Sequence, residues 1–336
     1  MNHTIYMAPM EGVTTAIYRG IFRKYFTGVD RFFTPFLGAG VTHRFKHKEL
    51  QEIVPYDEKL IPQLLTADAE GFRFSAAMLQ EDYGYGEVNL NLGCPSGTVV
   101  SKGKGAGMLA DPERLDRFFR TVFADLDENR EQGTGHPVLP KISVKTRIGL
   151  TDPAEAKTLA EVIAKYPLYE VTVHPRVREE FYRPGVHPEA FRTFADVIGT
   201  EKLVYNGDLF RAEDLQRLDA LEDGRYRDIP IRLGRGLIAD PALAREMKGG
   251  EPLQKEELRS FMEDLWQAYR EVVGSDRDTL FKMKEIWFYV GMMFPEEKRE
   301  LKEIRKANDG PAYRAAVRTL FSAHRENHFS GAYHAI

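Results

Sequence analysis

One alternation constrains this chain more than any other feature. Short apolar runs of strand character recur eight times, and helical periodicity follows each of them. The runs fall at Ile5–Ala8, Arg31–Pro35, Ile61–Leu65, Glu87–Asn91, Ile142–Lys145, Glu170–Val173, Leu203–Tyr205 and Ile229–Leu233. Helix starts are marked by Asp111-Pro112-Glu113, Asp152-Pro153-Ala154-Glu155 and Asp240-Pro241. Each offers an N-cap acceptor followed by a proline at the first helical position. Eight strands interleaved with helices predict a closed parallel (β/α)8 TIM barrel. A doubly wound sheet would want a phosphate loop directly after the first strand. That strand runs instead into Ala8-Pro9-Met10-Glu11-Gly12.

From about Pro252 the strand signal stops. Amphipathic stretches at Phe261–Val273, Thr279–Met293, Glu296–Ala307 and Pro311–His324 read as helices. The expected organisation is therefore a barrel domain, residues 1–250, and an all-helical domain, residues 251–336. A chain of 336 residues suits a barrel of roughly 250 residues with an appendage.

Composition removes several classes. No run reaches the ~18 apolar residues of a membrane span, and the first ten residues lack a signal-peptide pattern, so a cytoplasmic protein is expected. Cys94 is the one cysteine, which excludes an intrachain disulfide and a cysteine-rich metal site; no metal is expected. The net charge is −4, unusual for a nucleic-acid binder. The segment Phe281–Ile336, however, carries ten Lys or Arg against seven Asp or Glu, together with His324, His328 and His334.

In a barrel, chemistry gathers just past the carboxyl ends of the strands. The unusual residues lie there: Pro9 and Met10, Gln63, Asn89 to Cys94, Lys145 and Arg147, His174 and Arg176, Asn206 to Asp208, and Gly234 to Gly236. Asn206-Gly207-Asp208 and Gly234-Arg235-Gly236 follow the seventh and eighth strands, where barrels commonly bind phosphate. As a pair they suit the single phosphate of FMN. Lys145 at a strand end can stabilise negative charge on a reduced flavin, Gln63 can hydrogen-bond the ring's carbonyl and imide edge, and His174 can meet the flavin or its phosphate. In Asn89-Leu90-Asn91-Leu92-Gly93-Cys94-Pro95-Ser96 the asparagines alternate inward, and the turn presents a thiol at the mouth. Asn91 offers both donor and acceptor to a planar imide. The loop Ser101-Lys102-Gly103-Lys104-Gly105-Ala106-Gly107 can fold over a polyanion or form a flexible surface loop.

These stretches together resemble the tRNA-dihydrouridine synthase family over roughly residues 4–250. The resemblance rests on Met7-Ala8-Pro9-Met10-Glu11-Gly12-Val13-Thr14, Asn89 to Ser96, Lys145-Thr146-Arg147-Ile148-Gly149, Tyr205-Asn206-Gly207-Asp208 and Leu233-Gly234-Arg235-Gly236. It implies FMN-dependent reduction of the 5,6 double bond of a tRNA uridine, with NADPH as electron donor. It also implies that Pro9, Met10, Gln63, Lys145, His174, Asn206, Gly207, Asp208, Gly234 and Arg235 hold FMN. Asn91 would orient the uracil, Cys94 would be the general acid, and Lys102, Arg147 and Arg176 would meet the flipped nucleotide. The helical tail would bind RNA; the oligomeric state is left open, with a monomer as the expectation. A thiol of ordinary pKa, ~8.5, is largely protonated at neutral pH and can supply the proton. A uridine buried in folded RNA must leave its stack to reach such a site. The chain departs from the family's His-Gly-Arg-Thr pattern at His174-Pro175-Arg176-Val177, where proline removes a backbone donor. Ribosomal RNA as substrate, a small-molecule ene- or dihydropyrimidine-type reductase, and an RNA-binding protein with an inactive barrel are the alternative readings.

Overall fold

The computed structural model describes residues 3–124, 139–183, 185–326 and 329; His328 and His334 lie outside them. Its strands are β1 (Ile5–Met7), β2 (Arg31–Phe33), β3 (Leu37–Gly38), β4 (Leu60–Ile61), β5 (Gln63–Leu65), β6 (Glu87–Leu92), β7 (Lys141–Gly149), β8 (Val171–Val177), β9 (Leu203–Tyr205) and β10 (Ile231–Leu233). They form one sheet in the order β3-β5-β6-β7-β8-β9-β10-β1-β2-β4. The ten strands are the eight expected ones, two of them interrupted. β2 and β3 flank Thr34-Pro35-Phe36, and β4 and β5 flank Pro62, which has no N–H for a ladder. Because β2 pairs β4 and β3 pairs β5, both in parallel, the second and third barrel strands meet and the ladder has the closed order of a (β/α)8 barrel. β7 and β8 run further than expected, carrying the strand through Arg147 and Arg176.

Helix boundaries follow local chemistry. Asp111 caps the helix Pro112–Phe123 as expected, its side chain accepting from Arg114 N. Asp152 does not start a helix at Pro153. The helix begins at Glu155, whose carboxylate accepts from the amides of Leu150, Thr151 and Asp152. The helix expected to open at Asp240-Pro241 begins at Leu243–Met247, with Asp240 accepting from Ala242 N, and a separate helical turn, Arg235–Ala239, precedes it. The loop after Cys94 is ordered: a helical turn at Gly97–Val100 leads into a 3₁₀ turn at Gly105–Ala110, with Gly105 through Leu109 buried.

The chain divides into two compact units. One comprises Met1–Asp30, Asp208–Arg227 and Leu233–Ile336; the other comprises Arg31–Gly207 and Asp228–Arg232. In the first unit Thr15 caps the helix Ala16–Tyr25. Phe261, on the helix Lys255–Val273, lies 5.0 Å from the Phe26 ring and 5.7 Å from Tyr18. Full burial of a phenylalanine contributes roughly 1.5–3 kcal/mol. The tail also has its own aromatic core: Trp266 stacks on Tyr313 at 4.6 Å, and Trp287 Nε1 donates to Tyr313 Oη at 2.8 Å. No helix among the described residues is long and apolar enough to cross a membrane.

Gly236 belongs to the same unit. A Cβ there would lie 2.2 Å from the Leu209 carbonyl oxygen, an approach no side chain can make. Gly236→Ala is expected to destabilise the protein by about 1–3 kcal/mol through forced backbone movement, read as a lower melting temperature by circular dichroism. An unchanged melting temperature would contradict the close approach.

Candidate active site

In the second unit, the inward faces of β5 to β8 carry a polar set rather than the usual apolar filling. Register pairs Gln63 with Asn89, Asn89 with Ser143, Asn91 with Lys145, Lys145 with Thr172, and Arg147 with His174. Residues directly paired across parallel strands share a face, so these side chains converge in the barrel. Gln63 and Asn89 are fully buried. Gln63 Nε2 donates to Asn89 Oδ1 at 2.7 Å, and Asn91 Nδ2 donates to Gln63 Oε1 at 2.8 Å.

Asn91 has a second task. Its Oδ1 accepts from the backbone amides of Gly93 at 3.0 Å and Cys94 at 2.9 Å. This side-chain-to-backbone turn presents Cys94, which stays partly exposed. The Cys94 carbonyl accepts from Ala106 N at 3.1 Å, so the glycine-rich loop closes behind the thiol. Gly105, at φ +56, has no room for a Cβ: one would sit 3.0 Å from Cys94 Cβ. Lys102, on that loop, is exposed.

Arg147 is 1% exposed and grips three carbonyls. Its Nε donates to Gly93 O at 3.1 Å, and its two terminal nitrogens donate to Val177 O and Phe181 O, each at 2.9 Å. Arg176 is wholly buried; its Nε donates to Arg183 O and a terminal nitrogen donates to His174 Nε2 at 3.0 Å. Arginine has no acceptor, so His174 carries its proton on Nδ1. In this structure both arginines brace the segment after β8 instead of projecting as free phosphate contacts. Arg178 ties that segment to Pro95 O at 3.2 Å, and Tyr182, 46% exposed, stacks on His174.

Electrostatics set this cluster apart. Lys145 is half-buried, and its ammonium is pushed down to about 7, first by burial, then by Arg232 and Arg147; Cys94 acts in the opposite direction. Burial likewise pushes Arg147 down to about 10. Arg232, 1% exposed, lies over the Phe33 ring at 3.6 Å. Thr172 Oγ1 is buried without a hydrogen-bond partner among the described residues. Lys145 yields a signed prediction. Between pH 7 and its ordinary 10.5 the unfolded chain holds a proton that the folded chain has released, so stability should rise with pH across that window. The penalty is greatest below about 7, where the fold must carry the buried charge. Flavin-free protein compared with Lys145→Met, by urea unfolding at pH 7 and pH 10, should show the wild type gaining on the variant as pH rises. A constant difference would contradict the burial of the charge.

The remaining expected residues lie in or beside the first unit. Pro9 and Met10 are half-buried, and Met10 N donates to Thr14 Oγ1 at 2.8 Å. A Cβ on Gly234 would sit 3.6 Å from Ala8 Cβ and 3.9 Å from Met10 Sδ, so this turn packs on the end of β1. Asp208, at φ +38, accepts from Arg235 at 2.7 Å. Arg235 also lies over the Phe210 ring at 5.3 Å. Asn206, in the second unit, donates to Arg232 O at 2.6 Å, and a Cβ on Gly207 would press on Pro175 and Tyr205 Oη, each 3.0 Å away.

Ser143, Thr172 and Arg232 were missing from the sequence-derived site. The signal was present, since each occupies an inward position of a strand whose outward positions are apolar.

A thiol on a braced turn, amides of fixed orientation and a half-buried lysine gather at strand ends, where a barrel enzyme places its chemistry. A sequence model of the family described as dihydrouridine synthase matches residues 6–318. The chain belongs to the dihydrouridine synthase family, and membership makes it a flavin-dependent oxidoreductase that works with a nicotinamide donor. Among its relatives, a tRNA-dihydrouridine(16) synthase of Ralstonia nicotianae is 29% identical over 250 residues, 72% of each chain. Another, of Aquipseudomonas alcaligenes, is 26% identical over 329 residues, covering 91% of this chain and 96% of the relative. A probable tRNA-dihydrouridine synthase of Staphylococcus epidermidis is 29% identical over 247 residues, 70% of this chain and 69% of the relative. Of solved structures, morphinone reductase superposes with a TM-score of 0.45 at 14% identity, covering 74% of this chain and 86% of its own.

Proposed function

We propose that this chain reduces a uridine of tRNA to dihydrouridine, with FMN as flavin, NADPH as electron donor and Cys94 as general acid. The observation that carries the reading is the placement of Cys94: its turn is held by Asn91 and Arg147, and the strand register sets Lys145 opposite Asn91. The barrel interior fits a flavin. Lys145, Arg147 and Arg232 act on one another there, so a group gaining negative charge would be stabilised, and the Thr172 hydroxyl awaits a partner. Pro9, Met10, Gln63, Lys145, His174, Asn206, Gly207, Asp208, Gly234 and Arg235 would hold FMN. When bound, FMN supplies a hydride to carbon 6 of the uracil ring.

The chain's own residues do the rest. Lys145, protonated, offsets negative charge next to it, and the loss of its proton near pH 7 ties that support to pH. Cys94 gives a proton to carbon 5, the position that becomes basic as carbon 6 is reduced. Asn91 keeps the turn in place and has one amide hydrogen left for the uracil. Lys102 would meet phosphate from the loop behind the thiol. Arg147 and Arg176 would serve the substrate through the segment they brace. The helical region 251–336 would bind the rest of the tRNA in the cytoplasm. The names of the two (16) synthases favour position 16.

Mass spectrometry of fractionated tRNA and ribosomal RNA, from cells with and without the gene, tests this. Loss of dihydrouridine from position 16 of tRNA is the expected result. Loss confined to ribosomal RNA would replace the substrate, and no loss from any RNA would overturn the proposal.

A further inference from the structure

A chain of side chains runs through the barrel from the Cys94 turn to the opposite end of β6. It begins with two donors, the Gly93 and Cys94 amides, on Asn91 Oδ1. Asn91 donates to Gln63, and Gln63 donates to Asn89. Asn89 Nδ2 donates to Ser143 Oγ at 2.9 Å, and Ser143 Oγ donates to Glu87 Oε1 at 2.7 Å. The other carboxylate oxygen, Oε2, accepts from Arg31 at 2.9 Å. Every bond points the same way, from the mouth to the carboxylate.

That uniform sense needs a cause. Asn and Gln amides are nearly symmetric in shape, so packing alone does not choose which end carries oxygen. A carboxylate accepting at both oxygens cannot donate, which forces Ser143 to donate toward it and each amide above to follow. Glu87 is only 7% exposed, and burial pushes its carboxyl up against the pull of Arg31 and Ser143. A pair in which the carboxylate is buried and the arginine half-buried is a poor source of stability, so its value here lies in orientation.

We propose that Glu87, at the far end of β6 from the reacting groups, is a positioning residue: its carboxylate sets the direction of the Ser143–Asn89–Gln63–Asn91 chain and thereby holds the Gly93 and Cys94 amides on Asn91. The effect on turnover rests on the proposed uridine reduction; the effect on the Cys94 turn does not.

Glu87→Gln keeps the shape and removes the rule. Arg31 draws the new amide's oxygen, which turns its NH2 toward Ser143. Either Ser143 then receives donors from both sides, or the amides above invert and Asn91 points NH2 at two backbone N–H groups. Removing the competitor with Arg31→Met frees the oxygen of that introduced amide to face Ser143 and restores the original sense.

The test uses the purified full-length protein and follows alkylation of Cys94 by iodoacetamide with mass spectrometry. Cys94 is the one thiol in the chain, so the reading is unambiguous. Glu87→Gln should raise the alkylation rate about tenfold, and Glu87→Gln with Arg31→Met should return it to within about threefold of wild type, the scale set by one hydrogen bond's net contribution. Should Glu87→Gln fail to fold, Ser143→Ala, which cuts the same chain above Glu87, should raise the rate comparably. A wild-type rate in folded Glu87→Gln or Ser143→Ala overturns the proposal. So does a raised rate that Arg31→Met leaves uncorrected, because loosened packing would behave that way. Failure of the uridine assay with these alkylation results intact would count against the proposed substrate and not against Glu87.

Discussion

Cys94→Ala should retain its flavin and lose uridine reduction by about 10²–10⁴-fold, the usual contribution of a positioned general acid. The Cys94 backbone is fixed by groups the substitution leaves alone: its amide on Asn91 Oδ1 and its carbonyl on Ala106 N. The turn should therefore survive, and what is lost is the proton. A serine hydroxyl is too weak an acid to take over, so Cys94→Ser should fall close to alanine. Flavin absorbance on the purified variants, with single-turnover kinetics on tRNA, separates the two effects. Turnover of RNA by Cys94→Ala at the native rate would end the assignment of Cys94 as acid.

Arg147→Met should act on both stability and turnover. Methionine fills similar space but withdraws donors from Gly93 O, Val177 O and Phe181 O at once. Buried carbonyls left without donors cost about 1–3 kcal/mol each; Phe181 is exposed and its carbonyl can turn to water, so the expected loss is on the order of 2–4 kcal/mol. Lysine should not rescue it, because one ammonium cannot reproduce a planar fork aimed at separate carbonyls. Urea unfolding gives the stability change; a loss below about 1 kcal/mol would mean that the three bonds are replaceable. Turnover should drop beyond what the unfolded fraction explains, since Gly93 precedes the thiol.

The architecture was legible because parallel barrel strands are short, apolar on their outward face and spaced by helices, and each of those properties is written locally. Asp111 was legible as a cap for the same reason. Asp152 misled because Glu155 offers a better acceptor to the same amides, a competition that depends on how Leu150 and Thr151 turn. Asp240 marked the helix Leu243–Met247, whereas the helical turn that begins at once after Gly234 was not legible; only the Leu209 carbonyl pressed against Gly236 shows how tightly that segment packs. In the site, Gln63, Asn91, Cys94 and Lys145 could be read from strand-end position alone. The work of Arg147 and Arg176 could not. Their charge points to phosphate, whereas the bonds the fold gives them run to Gly93 O, to the His174 ring and to carbonyls of a segment whose path the sequence does not state. The interior chain ending at Glu87 was hidden similarly, since its members come from three strands and only register joins them.

The aromatic contact between the chain's beginning and its tail carries a consequence for biosynthesis. Thr15 and Tyr269, hydrogen-bonded at 2.9 Å, stand 254 residues apart. At ~5–20 residues per second, roughly 13–50 s separate their emergence from the ribosome. During that interval Tyr18, Tyr25 and Phe26 lack the Phe261 ring that packs on them, and the first helix carries uncovered aromatic side chains on a nascent chain. Each time the chain is made, those rings stay uncovered until the segment that carries Phe261 has emerged.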